Sequence, residues 1–148
     1  MAKKQPASKS AEPEVSFVGI TLLDLKLDFN PGLEEAKDVA FNYAVHITRP
    51  QDLGGDLFTF RATVSVVKQE KDSDERSTSF EASYLCGMRG KNCDCKYMED
   101  FALFFAKTSA WTHFTSLASI VTQQMRATFP FLPVAPSFVE FEDESSET

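Results

Sequence analysis

The hydrophobic period of this chain changes once, and that change bounds what it can fold into. Up to about Cys86 apolar residues recur at every second position; from Met98 onward they recur at three and four. Period two marks half-buried strands and period 3.6 marks amphipathic helix. Strands first and helices second imply an α+β domain with the helices on one face of a sheet, and 148 residues suit one domain.

Four alternations predict four strands. Leu23, Leu25, Leu27 and Phe29 alternate with Asp24, Lys26 and Asp28, and Asn30-Pro31-Gly32 ends the run. After a polar link, Phe41, Tyr43, Val45 and Ile47 alternate with Asn42, Ala44 and His46, and Pro50 stops them. Residues 51–56 read as a turn. Phe58, Phe60, Ala62, Val64 and Val66 form the third set, and residues 68–76 a solvated hairpin loop. Phe80, Ala82, Tyr84 and Cys86 form the fourth, opposite Glu81, Ser83 and Leu85. Strands wet on one face and joined by short links predict a four-stranded antiparallel sheet.

A short helix follows, with Met98, Phe101, Phe104 and Phe105 on one stripe. Thr108-Ser109 can cap a second, longer helix carrying Trp111, Phe114, Leu117, Ala118, Val121 and Met125. Pro130, Pro133 and Pro136 keep the next segment extended. Residues 138–141 can add a short strand or a last anchor. Ile120 and Phe129 fall off the main helical stripe, so a second apolar side needs cover, and contact between subunits would supply it.

Charge narrows the function classes. The net charge is −7, so a basic footprint for nucleic acid is missing. No apolar run is long enough to span a membrane. Residues 1–14 and 142–148 read as solvated tails, the second strongly acidic, around a domain at 15–141. The opening Met-Ala-Lys-Lys is not followed by an apolar stretch, so a cytoplasmic protein is expected.

Catalytic signatures are lacking. His46 and His113 have no nucleophile-elbow partner, and Leu53-Gly54-Gly55-Asp56 is not followed by the Lys-Ser/Thr of a phosphate loop. The expectation is a protein that is not an enzyme and has no cofactor. Cys86, Cys93 and Cys95 could supply three thiolates, but their spacing is no familiar zinc pattern. The plainer reading is a Gly-rich turn, residues 86–93, with free thiols. Phe is over-used, with 14 against three Tyr and one Trp. A small domain so composed has a very aromatic core or shows some rings to a partner.

The stretch from Trp111 to Pro136 resembles the SecB protein-export chaperone family. There, too, a long helix ends in Thr-Phe-Pro, an extended Pro-rich segment follows, and Ala-Pro closes it. Arg126, Thr128, Phe129, Pro130, Ala135 and Pro136 match that pattern one by one. Over residues 15–110 the likeness is in the order of elements alone. The resemblance implies an ATP-independent holdase. It implies a homotetramer, a dimer of dimers, whose hydrophobic grooves hold unfolded preproteins for the export motor SecA. It points to Phe101, Phe104, Phe105, Trp111, Phe129 and Phe131 for the client groove. It points to Asp24, Asp28 and Glu81, which match acids of the family's sheet face, for SecA docking. Three departures turn attention to a chaperone dedicated to one client, such as an antitoxin. The second helix of the family is replaced by an acidic stretch after Ser137, Leu117 and Ala118 stand where a charged pair is usual, and the basic arm is atypical. Two other classes compete: a small scaffold or inhibitor that binds one folded partner, and a thiol–metal protein. Suppression of aggregation of unrelated unfolded proteins separates the first from the holdase, and metal analysis separates the second.

Overall fold

The computed structural model describes residues 12–29, 39–70, 76–125, 133, 135, 136 and 139–142. The elements are β1 (Glu14–Phe29), β2 (Val39–Ile47), β3 (Gln51–Gly54), β4 (Leu57–Glu70), β5 (Arg76–Lys91), α1 (Cys95–Phe105), a π-helical turn (Ala106–Ala110), α2 (Trp111–Met125) and β6 (Glu140–Phe141). The class is α+β, as expected. The sheet, however, has six strands and is mixed, not four-stranded and antiparallel. Its order is β1-β5-β4-β2-β6, with β3 paired to β4. All pairs are antiparallel except β2 with β6.

The two extra strands come from segments where no period is readable. Residues 51–54 were expected within a turn, but they pair with Leu57–Thr59, and the reversal narrows to Gly55 and Asp56. Positive φ at Gly54, Gly55 and Asp56 (89°, 62° and 64°) lets the chain fold back so tightly. β6 is the short strand expected near residues 138–141, and it lies parallel to β2.

Other limits shift outward. β5 runs through the expected cysteine turn to Lys91, with Cys86, Met88 and Gly90 buried, and the reversal comes at Asn92 (φ 57°). Lys68, expected in the hairpin loop, is a buried residue of β4 whose Nζ lies 6.0 Å from the centre of the Phe41 ring. β1 is 16 residues long and carries register shifts at Val18 and Leu23. The second shift takes Leu23 out of the alternation: Leu22 pairs Tyr84 while Leu25 and Leu27 pair Ala82 and Phe80. Glu14, expected in the N-terminal arm, is the first residue of β1.

The helices do not separate. Thr108 does not cap a new helix; its hydroxyl donates back to the Phe104 carbonyl at 2.9 Å. Buried positions run Met98, Ala102, Phe105 and Ala106, then Ala110, Trp111, Phe114, Ala118 and Thr122. The interval from 106 to 111 is five residues, which a 3.6-residue turn would carry off the stripe. The π-turn closes it: the Trp111 N–H donates to the Ala106 carbonyl. Asp94 starts the rod, its Oδ1 accepting from the Tyr97 N–H at 2.7 Å.

The core lies between this rod and one face of β5, β4 and β2. Phe114 meets Phe80 at 5.2 Å between ring centres, and Trp111 meets Tyr43 at 5.4 Å. At the other end Gly90 admits α1. A Cβ there would sit 2.6 Å from Sδ and 2.9 Å from Cε of Met98. Gly90→Ala is therefore expected to cost about 1–3 kcal/mol by overpacking. Gly19→Ala, where a Cβ meets nothing within 4 Å, should leave stability unchanged or slightly raised. Urea unfolding of the two variants beside the parent checks this.

Candidate functional site: an uncovered apolar strip

β1 is the edge strand on the side away from β2. Its inward residues Phe17, Ile20, Leu22, Leu25 and Leu27 pair with Met88, Cys86, Tyr84, Ala82 and Phe80, all buried residues of β5. They therefore share the core face. Phe17 is covered, its ring 4.8 Å from Phe105. Farther along, Leu22 and Leu25 stay 42% and 39% exposed, although they look the same way as the core. Apolar side chains left this exposed on the inward face of a sheet are a candidate surface for a partner.

A ladder of rings runs along α1 and reaches β1 at Phe17. Tyr97 to Phe101 is 4.9 Å, Phe101 to Phe105 is 5.9 Å, and Phe104 to Phe105 is 5.7 Å. Phe104 is 55% exposed and Phe101 is half-buried, so the ladder offers aromatic surface at its outer side. Phe105 is nearly buried. Trp111 is fully buried, and its indole N–H donates to the Pro133 carbonyl at 2.8 Å. Neither ring faces solvent in this protomer. Phe129 and Phe131 lie outside the described residues. Sequence reasoning missed Leu22 and Leu25 as surface residues. No sequence signal marked them, because exposure on an inward strand face depends on where the helices lie.

The three acids fall on the opposite, outer face. Asp24 pairs Ser83, Asp28 pairs Ser79, and Glu81 lies directly opposite Lys26. The sheet thus brings all three together, with Lys26 in their midst. The same face carries Thr63 and Ser83, paired in register with their hydroxyls 3.2 Å apart, and, farther on, Arg61 and Arg89. It is a solvated surface of mixed charge.

The thiols are separate. Cys86 is buried on the core face of β5, and burial pushes its pKa up to about 12. Cys93 follows β5, and Cys95 is the first residue of α1. Desolvation holds the Cys93 thiol above its ordinary range, with an opposing pull from a hydrogen bond with the Glu14 backbone and a smaller push from Asp94 and Asp56. Among the described residues no three His, Cys, Asp or Glu side chains are grouped to hold a metal ion.

Tyr84 borders the strip, opposite Leu22 and edge-on to His113 at 6.4 Å. Its hydroxyl is buried without a hydrogen-bond partner among the described residues, and desolvation, then the nearby Cys86, raises its pKa to about 12.

No protein-family model and no curated protein matches this chain. Its fold is similar to that of the Mycobacterium tuberculosis Rv1957 SecB-like chaperone, solved in complex with a ChAD peptide from the Rv1956 HigA1 antitoxin. The TM-score is 0.56 at 11% identity, over 82% of this chain and 91% of that one. The fold is therefore SecB-like.

Two predictions follow from these placements. Trp111→Ala and Phe105→Ala should each cost about 3–5 kcal/mol, whereas Phe104→Ala, on an exposed ring, should cost less than about 1 kcal/mol; denaturant unfolding separates them. For Tyr84 the folded-state pKa lies above the ordinary 10, so the neutral phenol is favoured by folding. That stability is fully present below pH 10 and is lost as pH rises towards 12. Tyr84→Phe should flatten the fall of stability over this window, as read by unfolding curves at pH 8 to 12.

Proposed function

We infer that this protein is an ATP-independent holdase that binds unfolded polypeptide segments on apolar surface. The observation that carries this reading is exposed apolar surface, Leu22 and Leu25 on β1 and the Phe104 and Phe101 rings on α1, on a SecB-like fold. An unfolded chain offers apolar side chains in no fixed order. A receptor for it gains energy from apolar area rather than from a fitted pocket. The protein acts without catalysis and without a cofactor, in the cytoplasm.

The dedicated-client form of this reading is favoured over general export. The SecB-like chaperone of similar fold was solved with a peptide of an antitoxin, and here an acidic stretch follows Ser137 in place of a second helix. The broader form adds hand-off to SecA through Asp24, Asp28 and Glu81. Lys26, in the midst of those acids, weakens the field that such docking would use.

We also propose a homotetramer. From Thr108 to Met125 the rod bears no Asp, Glu, Lys or Arg, although Thr112, Ser116, Ser119, Ile120, Gln123 and Gln124 are exposed. Exposed helix faces normally carry charge, and interface centres are depleted of it. The uncharged face suits helix-to-helix contact between copies.

The test is suppression of aggregation of several unrelated unfolded proteins. The parent should protect them. Leu22→Ser with Leu25→Ser and Phe104→Ser should lose most of that protection while staying folded by circular dichroism; equal protection would remove the strip as the site. Reversal of Asp24, Asp28 and Glu81 to Lys should leave protection intact and lower SecA affinity at low salt, where exposed charges are least screened. Light scattering should give a mass near four times 16.5 kDa, and a monomer at micromolar concentration would end the tetramer.

A further inference from the structure

β6 is a peptide docked on its own protein. It adds to β2 in parallel register, His46 against Glu140 and Ile47 against Phe141, and the ladder continues through the Glu142 N–H to the Ile47 carbonyl at 2.7 Å. Strand addition at a sheet edge is a general way to hold an extended polypeptide, with main-chain bonds for affinity and side-chain contacts for selection. Here the selecting contact is a ring on an arginine. The Arg49 guanidinium lies 4.7 Å from the centre of the Phe141 ring, and its Nη1 is held on Glu99 Oε1 of α1 at 2.8 Å. The turn after β2 is fixed as well: the Thr48 N–H donates to the Arg61 carbonyl and the Arg61 N–H to Thr48 Oγ1. Arg49 is thus held by Glu99 as well as by the ring.

This contact is built to exchange. β2 pairs with β4 over nine residues but with β6 over two. The Arg49–Glu99 pair is 48% and 27% exposed, so it adds little energy. Upstream, the segment has firmer anchors. Trp111 binds the Pro133 carbonyl and Pro136 is buried, so β6 can lift while its leash stays in place. The occupant is also chemically distinctive: one aromatic between Glu140 and Glu142, with Asp143 and Glu144 following, against an arginine.

We propose that the edge of β2 beside Arg49 is a docking seat for an extended peptide with an aromatic residue among acids, and that β6 is a built-in occupant which such a segment of a client displaces. The inference rests on the holdase reading for the word client, but the seat itself does not. An occupant on the same chain acts at an effective concentration of about millimolar. It therefore screens out weak binders and covers the sheet edge between clients.

A reversible lock tests it in the full-length chain. His46→Cys and Glu140→Cys, with Cys93→Ser and Cys95→Ser, place two thiols at paired positions for a disulfide that fixes β6 on β2. The first probe is a labelled peptide with the sequence of residues 137–144. It should bind Phe141→Ala about tenfold tighter than the parent, and it should bind the reduced lock but not the oxidised one. A peptide with Ala in place of its second Phe should not bind. The second probe is reduced, carboxymethylated lactalbumin, which the oxidised lock should hold several-fold more weakly than the parent and the reduced lock do, since the Leu22 and Leu25 strip on β1 stays open in all three. Peptide binding that ignores both the lock and Phe141→Ala overturns the seat and leaves β6 a plain edge cover. Lactalbumin held equally by oxidised and reduced forms overturns its use by clients while the holdase reading stands. Lactalbumin held by no form, with peptide binding still gated by the lock, removes the holdase reading and keeps the seat.

Discussion

One helical rod has to cover a sheet wider than itself, and most of the molecule follows from that mismatch. Neighbouring strands lie about 4.8 Å apart, so the axes of β1 and β2 are about 14 Å apart across β5 and β4. A helix with its side chains is only about 10–12 Å wide. Trp111 on Tyr43 ties the rod to β2 and Phe114 on Phe80 ties it to β5. Phe105 reaches β1 only at Phe17. Farther along the inward face of β1, Ile20 and Leu27 are partly covered while Leu22 and Leu25 stay largely exposed. The apolar strip is thus a consequence of sheet width and helix position.

The same mismatch explains which parts of the fold could be read in the residues. β2, β4 and β5 are sandwiched between wet face and rod, so their alternation is strict and their faces are legible. β1 is free on one side, so it tolerates bulges, and the bulge at Leu23 moves that residue out of the stripe that simple alternation assigns it. Lys68 misleads because a charged residue normally marks a loop, whereas a lysine stem can lie buried with its head over a ring. The π-turn hides in plain sight: a five-residue step between Ala106 and Trp111 looks like a break between helices, and Thr108-Ser109 looks like a cap. β3 and β6 are too short to have a period.

For the site, residue type was readable and exposure was not. Aromatic residues at helical spacing mark a stripe, but whether a ring faces the sheet or the solvent depends on where the rod sits. Trp111 and Phe104 are seven residues apart, near two full turns, yet one is fully buried and the other more than half exposed. The π-turn between them supplies the rotation that parts them. The acids were easier, because alternation alone puts Asp24, Asp28 and Glu81 on the outer face. The pairing that sets Lys26 opposite Glu81 needs the register, which no single strand contains.

Energetics then bear on assembly. Fully burying a Leu or Phe contributes about 1.5–3 kcal/mol. Leu22, Leu25 and Phe104 are each roughly half exposed, so together they offer a client about 2–4 kcal/mol. Micromolar binding needs about 8 kcal/mol net, after the cost of ordering the bound segment. Among the described residues one strip on one protomer does not reach that. Repetition of the strip does: when one long client touches strips on several copies, each further contact is intramolecular and adds without a new association cost. On the holdase reading, the uncharged face of α2 and the exposed strip of β1 are therefore two parts of one requirement. The first would bring copies together, and only then would the second hold an unfolded chain.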